Sequence, residues 1–366
     1  MKIKKKAIKI AAIVLAIILV VATIVAIVIA NDFDRAVRAA SKNLTEYSIE
    51  ANYDENVHTI SAKEQVSYLN KTGESLDKIC FHLYPQAFRE GARIVPYTAL
   101  TEARCFPNGK NYGSFQITSL IVAGEPKSLT ISGEDSDILE VNLPSHLEKN
   151  KRIEICINFL LTLPNCTHRL GWFENNVNLG NWYPIACEYE GDGVWDTTPY
   201  YATGDPFNSS VANYNVKISA PSGFNIIASG ERVSDITKNS MSTATFEGRA
   251  IRDFAAVLST NTTKHTDQVN NTTINYYAAP DDNAASAHLK LACEALFTFN
   301  DLFGDYPYHT LNVVTTPFMQ GGMEYPNLVM ASSLVTGEEE FRKVIIHEIA
   351  HQWWYGVVGN DEVNEA

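Results

Sequence analysis

The 366 residues carry 29 basic and 42 acidic side chains, a net charge of −13 with histidine neutral, and are 45% hydrophobic and 19% charged. That balance excludes a disordered chain and describes a globular protein of about two domains with a full core. Five lysines fall in the first nine residues, so the remainder holds 24 basic against 42 acidic residues, net −18; a surface this acidic does not bind nucleic acid.

Behind the lysines, residues 10–30 form an uninterrupted uncharged run of 21 residues. As a helix it would rise about 32 Å, the hydrocarbon thickness of a bilayer. A cleaved signal peptide is the alternative, with small residues at Val28 to Ala30, although an h-region normally runs only about 7–15 residues. Either way, the lysines before the run, with Asp32 and Asp34 after it, place everything beyond residue 31 outside the cytoplasm. The expectation is a single-pass cell-membrane protein with a cytoplasmic N-terminus, touching lipid through residues 10–30.

From about residue 45 to about 278, short β-rich runs such as "EYSIEANYD", "RIEICINFLLTLP" and "YNVKISAP" are separated by Gly, Pro, Asn and Asp. Their spacing predicts antiparallel sheets rather than β-α-β units. The aromatic stretch 171–207 lacks regular alternation and reads as an ordered loop region packed over the core. After residue 280 the pattern changes. "DDNAASAHLKLACEALFTFNDLFG" predicts a helix of about five turns closed by Gly304, and "YHTLNVVTTPF" and "NLVMASS" predict strands on either side of the loop "MQGGMEYP". Thr336 and Glu339 match a capping box opening a helix that runs to about Tyr355.

That last helix carries "HEIAH", residues 347–351. His347 and His351 are four apart, so both imidazoles project from one face about 6 Å apart along the axis and can reach one zinc ion. Glu348 lies about a quarter-turn round, positioned to take a proton from a zinc-bound water. Upstream, Glu324 of "GGMEYP" precedes His347 by 23 residues. Two glycines allow a substrate to approach the backbone, and a carboxylate beside zinc can pair with a cation on that substrate. The six cysteines, at 80, 105, 156, 166, 187 and 293, include no C-x-x-C pair. Disulfides are permitted outside the cell, with fifteen connectivities if all six pair, and buried free thiols are the alternative.

Gly-x-Met-Glu followed at this spacing by His-Glu-x-x-His resembles the gluzincin aminopeptidases of the aminopeptidase N (membrane alanyl aminopeptidase) family, which pair G-x-M-E-N with H-E-x-x-H-x18-E. "LDKICFHLYPQAF", "GDPFNSSVANYNVKISAPSGFNIIASGE" and "LFGDYPYHTLNVV" are similar to that family's N-terminal and early catalytic segments, so the likeness extends from about residue 45 onward. It implies an anchor in residues 1–35, a saddle-like β-rich N-terminal domain over 36–278, and the start of an α/β thermolysin-like metallopeptidase domain over 279–366. It further implies His347 and His351 as ligands of one Zn²⁺, Glu348 as general base, Glu324 as anchor of the substrate α-ammonium, and Gly321, Gly322 and Met323 as substrate-binding loop. The implied partners are peptides with a free N-terminus, because an internal peptide bond would leave Glu324 buried and unpaired. A carboxylate or amide assisting Glu324 from the N-terminal domain is implied within 171–207, where no residue matches a family motif.

Two positions depart from the pattern. Tyr325 stands where the family usually has Asn. The family's third zinc ligand falls at position 370, beyond Ala366; Glu362 or Glu365, 11 and 14 residues after His351, would replace it only through a sharply shortened connection. The expectation is therefore an N-terminal fragment of a zinc aminopeptidase, nearly inactive by itself. A related metallo-endopeptidase and a non-catalytic pseudo-peptidase or binding ectodomain are the alternatives.

Overall fold

The structure, a computed structural model, describes residues 35–361 and 363. The anchor expected at 10–30 and the substitute ligands Glu362 and Glu365 lie outside the described residues. Among those described, no helix is long and apolar enough to cross a membrane.

Strict alternation builds the large sheet. In Glu46–Asp54 the residues Tyr47, Ile49, Ala51 and Tyr53 point inward between exposed neighbours, and Thr59–Leu69 repeats the pattern with Ile60, Ala62, Val66 and Tyr68. Glu64 occupies an inward position of that second strand, and burial pushes its carboxyl well above the usual range, toward the neutral form. Eight strands assemble in the order Glu231–Lys238, Met241–Ile251, Ala212–Pro221, Glu46–Asp54, Thr59–Leu69, Arg152–Thr162, Ser114–Val122 and Glu125–Pro126. Neighbours run antiparallel as expected, except Glu46–Asp54, which pairs in parallel with Ala212–Pro221. Two four-stranded sheets and the two-stranded ribbon Tyr189–Gly191 with Val194–Trp195 complete this β-rich part. One contains Leu76–His82 and Ile138–Leu147; the other contains Leu170–Phe173 and Asn176–Leu179. The stretch 171–207, expected as a loop, is corrected: it carries Asn176–Leu179, Ile185–Ala186, Tyr189–Gly191 and Val194–Trp195, short strands paired with distant or neighbouring chain, with Trp182 and Tyr183 fully buried.

The second layer is a five-stranded sheet ordered Thr263–Val269, Thr272–Ala278, Thr310–Thr316, Leu328–Ser332 and Gly322–Met323. Its strands start upstream of residue 279, and Thr272–Ala278 and Thr310–Thr316 are parallel, joined through the helix Ala285–Phe303. This helix matches its periodicity: Ala285, His288, Leu289, Ala292 and Leu296 are buried at three- and four-residue intervals. Gly304 closes it with φ of +94°, a conformation that favours glycine.

The helix Glu338–Ala350 packs beside it, Ile345, Ile349 and Trp353 joining Leu289, Ala292 and Leu296 in one apolar cluster. Three glutamates in its first turn suit the positive end of the helix dipole. The expected capping box is corrected: the N-cap is Gly337, at φ of +95°, with no side-chain cap bond, and regular helix ends at Ala350 rather than near Tyr355. A left-handed N-cap turns the backbone away from the geometry in which Thr336 could reach back.

Candidate active site

His347 sits in the last turn of the helix and His351 just past it, in a conformation (φ −63°, ψ −11°) that continues the turn. Their rings cross at 78° with centroids 4.7 Å apart, and the two Nε2 atoms are 3.1 Å apart. Nδ1 of His351 donates to the Trp354 carbonyl at 2.9 Å, which leaves Nε2 with a lone pair. Partial burial and the neighbouring His351 depress the pKa of His347, favouring the neutral, metal-binding form. Two nitrogens at this separation, each about 2.0–2.1 Å from a shared zinc, would subtend about 100° at the metal, within tetrahedral range. The pair therefore fits zinc. Among the described residues no group of three His, Cys, Asp or Glu side chains is arranged to hold a metal.

Glu348 is 5% exposed and points at the glycine loop. A Cβ on Gly322 would lie 2.1 Å from Glu348 Oε1, whereas one on Gly321 would meet nothing nearer than Val344 Cγ2 at 3.5 Å. Only the second glycine is sterically required. The loop is held because Gly322–Met323 forms a two-residue edge strand, Met323 opposite Met330 and Gly322 opposite Ala331. Met323 itself is fully buried, its side chain part of the core.

Glu324 is 4% exposed, close enough to the Glu348 carboxyl to act on it electrostatically and 3.9 Å from His351 Nδ1. Burial and the negative charge of Asp205 push the Glu324 carboxyl up, opposed by His351 and Arg169. Burial and Glu324 push Glu348 higher still. Two buried carboxyls in contact share a proton unless a cation joins them. The carboxyl pair is thus short of positive charge, which a divalent metal and a substrate ammonium would both supply.

The structure adds two residues not singled out from the sequence. Asp205 lies within 171–207 and acts electrostatically on His347, Glu324 and Glu348. Arg169, two residues before that stretch, pairs with Asp205 at 2.8 Å, donates to the Gly204 carbonyl at 3.0 Å, and lies over the Phe207 ring. "GDPF" offers a turn signal at Asp205; Arg169 carries no local signal at all. Gln352, next to His351, donates to the Glu324 and Tyr325 carbonyls at 3.4 Å and accepts from Asn327 N at 3.0 Å. It thereby ties the motif helix to the glycine loop.

Tyr325 is fully buried and stacked on Phe207, and its hydroxyl donates to Asn181 Oδ1 at 3.2 Å. Gly180 makes room for it, since a Cβ there would lie 2.0 Å from the phenol oxygen. Asn181 Nδ2 in turn donates to Asp253 Oδ2 at 2.7 Å, and Tyr183 OH to Asp253 Oδ1 at 2.8 Å. The tyrosine therefore anchors the loop in the β-rich part.

No family model matches the chain. Its fold is that of the M1 zinc metallopeptidases. The M1 zinc metallopeptidase from Deinococcus radiodurans is similar with a TM-score of 0.54 at 16% identity, over 86% of this chain and 64% of that one. A mutant of that enzyme gives 0.58 at 14% identity, over 86% and 64%. A mutant bound to a Tyr-Ser-Ala substrate gives 0.54 at 16%, over the same shares. The chain thus spans just under two-thirds of the length of these solved structures.

Proposed function

We propose that the protein is a zinc aminopeptidase, anchored in the cell membrane with its catalytic part outside the cytoplasm, that removes N-terminal residues from peptides. The observation that carries this reading is the meeting of the His347–His351 nitrogen pair, which reaches the surface, with the buried carboxyls of Glu348 and Glu324. The enzyme of similar fold bound to a Tyr-Ser-Ala substrate supports peptides as the substrate class.

His347 and His351 would hold the zinc, which supplies Lewis-acid polarisation of the scissile carbonyl and a water acidic enough to attack near neutral pH. Glu348, held against Gly322, takes the proton from the attacking water and delivers it to the departing amine. Glu324, with Asp205 nearby, receives the substrate's α-ammonium and so sets the scissile bond one residue from the N-terminus. Arg169, paired with Asp205 at 2.8 Å, holds that carboxylate in place.

The test compares a peptide with its N-acetylated twin on zinc-supplemented protein expressed from the full reading frame, since residues 1–366 alone are expected to be nearly inactive. The free peptide is expected to lose residues one at a time, the acetylated one to survive. Glu324→Gln should raise KM for the free peptide about 10- to 100-fold, the equivalent of one charged hydrogen bond. Equal cleavage of both peptides would establish an endopeptidase instead. A second reading, a non-catalytic binding ectodomain, is favoured by the presence of only two metal donors among the described residues; it predicts no stoichiometric zinc and no hydrolysis.

A further inference from the structure

The six cysteines, all thiols in the structure, fall into two pairs and two singles. Cys105 ends the short helix Glu102–Cys105, and Cys166 lies in the bend before the strand Leu170–Phe173. Both are buried, at 0% and 1% exposure; the Cys166 thiol donates to the Leu170 carbonyl at 3.3 Å and lies close enough to Cys105 to feel it electrostatically. The backbone holds them in place: Thr167 N donates to the Cys105 carbonyl at 2.8 Å. A Cβ on Gly171 would come within 2.6 Å of Cys166 Sγ, so the thiol fills the space that glycine leaves.

The second pair forms across a ladder. Ile185–Ala186 runs antiparallel to Leu76–His82 with Ala186 opposite Phe81, and one step on, Cys187 N donates to the Cys80 carbonyl at 2.9 Å. Opposed residues share a face, and in a hydrogen-bonded pair such as this the Cβ atoms lie at the wide end of about 4.5–5.5 Å, so closing to the roughly 3.5–4.5 Å of a disulfide draws the two strands together locally. Each is buried, and the two thiols lie near enough to act on one another electrostatically. By contrast, Cys156 sits in the large sheet opposite Gln65 and Ile121, and Cys293 lies on the helix Ala285–Phe303 of the other layer.

We propose that Cys105–Cys166 and Cys80–Cys187 are disulfide sites, while Cys156 and Cys293 remain thiols. The inference stands apart from the peptidase reading, although a compartment outside the cytoplasm is where such bridges persist. Each bridge forms when one thiolate attacks a small-molecule disulfide such as oxidised glutathione, releasing one glutathione thiolate, and the second cysteine thiolate then attacks the protein sulfur of the mixed disulfide, releasing the other. Two protons leave the cysteines, and two electrons reduce the oxidant to two thiols. Burial holds the thiols of Cys166 and Cys187 well above their ordinary range and that of Cys80 up to about 11. Closure therefore belongs to folding or transient opening rather than to attack on the closed structure.

The first bridge has a bearing on the site. Arg104, next to Cys105, donates through Nη2 to the Met319 carbonyl at 2.7 Å. Met319 N donates at 2.9 Å to the carbonyl of Thr167, next to Cys166. Both arms of the bridge thus hold the residue two places before Gly321, bracing the upstream end of the glycine loop.

The test is to equilibrate the purified full chain from the unfolded state in oxidised and reduced glutathione. An acid quench, alkylation in denaturant and unreduced peptide mapping by mass spectrometry follow. Two bridged peptides, 80 with 187 and 105 with 166, are expected, with alkylation confined to Cys156 and Cys293. Closing a loop of about 60 residues should raise the melting temperature by roughly 6 °C for the 105–166 bridge. Cys105→Ser should abolish that increment while leaving the 80–187 peptide intact. Six alkylated cysteines after oxidation, or bridges joining any other pair, would overturn the proposal.

Discussion

Gly180 and Tyr325 should behave as one steric unit, and a double-mutant cycle measures this. In Gly180→Ala the new Cβ would lie 2.0 Å from the Tyr325 hydroxyl oxygen, 2.8 Å from its Cζ and 3.0 Å from the Arg169 carbonyl. The tyrosine has no slack: it is fully buried, its ring lies parallel to Phe207, and its hydroxyl is bonded to Asn181. Overpacking of this kind costs about 1–3 kcal/mol, and a contact this short belongs at the upper end, about 3 kcal/mol. Tyr325→Phe alone forfeits one hydrogen bond of 3.2 Å, about 1 kcal/mol. With the oxygen gone, the nearest atom to the alanine Cβ becomes Cζ at 2.8 Å, and the alanine should then cost about 1.5 kcal/mol. The double variant is expected near 2.5 kcal/mol instead of the additive 4, a coupling of about 1.5 kcal/mol. Urea unfolding followed by tryptophan fluorescence reads it, with the buried Trp182 two residues from the substitution. Additivity within about 0.5 kcal/mol would refute the steric account, and a changed urea slope would show that the denatured state was altered instead.

The two loop glycines should separate sharply in the active protein. Gly322→Ala displaces Glu348 and should lower kcat about 100-fold, whereas Gly321→Ala, meeting only Val344 at 3.5 Å, should leave peptide hydrolysis within about twofold; similar losses would remove Gly322 from its proposed part. His347→Ala and His351→Ala should each abolish bound zinc measured by atomic emission after dialysis. Glu348→Gln should keep the metal while slowing hydrolysis by about 10²–10⁴, and loss of zinc from that variant would make Glu348 a ligand rather than a base. Asp253 gives a pH signature. Burial pushes its carboxyl from the ordinary 3.8 up to about 6 despite hydrogen bonds from Tyr183 and Phe254 N. The folded state binds this proton more tightly than the unfolded state, so the stability contributed by the protonated group is full below about pH 4. It falls as pH rises to about 6, by at most about 3 kcal/mol. Urea midpoints should fall less between pH 4 and 7 in Asp253→Asn than in the parent, the raised Glu64, Glu324 and Glu348 carboxyls supplying the decline that remains; parallel curves would place the proton elsewhere.

Local regularity made much of the fold legible. Inward Tyr, Ile and Ala at every second position of Glu46–Asp54, and apolar residues at three- and four-residue spacing in Ala285–Phe303, are periodicities that backbone geometry imposes within one element. The same holds for His347 and His351, whose four-residue offset on a helix brings their nitrogens together before any tertiary contact is made. Legibility ended where an outcome depended on distant chain. Gly322–Met323 has no periodic signal and is a strand only because Leu328–Ser332 offers it an edge. Glu46–Asp54 cannot announce that its parallel partner begins at Ala212. The Thr336 motif yielded to a left-handed Gly337.

By itself, therefore, the sequence determined the His347–His351 pair, Glu348 beside it and the carboxylate of the glycine loop, because spacing along a helix and a short motif are local facts. Only the tertiary structure decided that Arg169 and Asp205 would face Glu324, that Gly180 would yield its space to Tyr325, and which cysteines would meet. Those contacts join segments tens to more than a hundred residues apart, and they exist only because sheets pack face to face and bring such segments together.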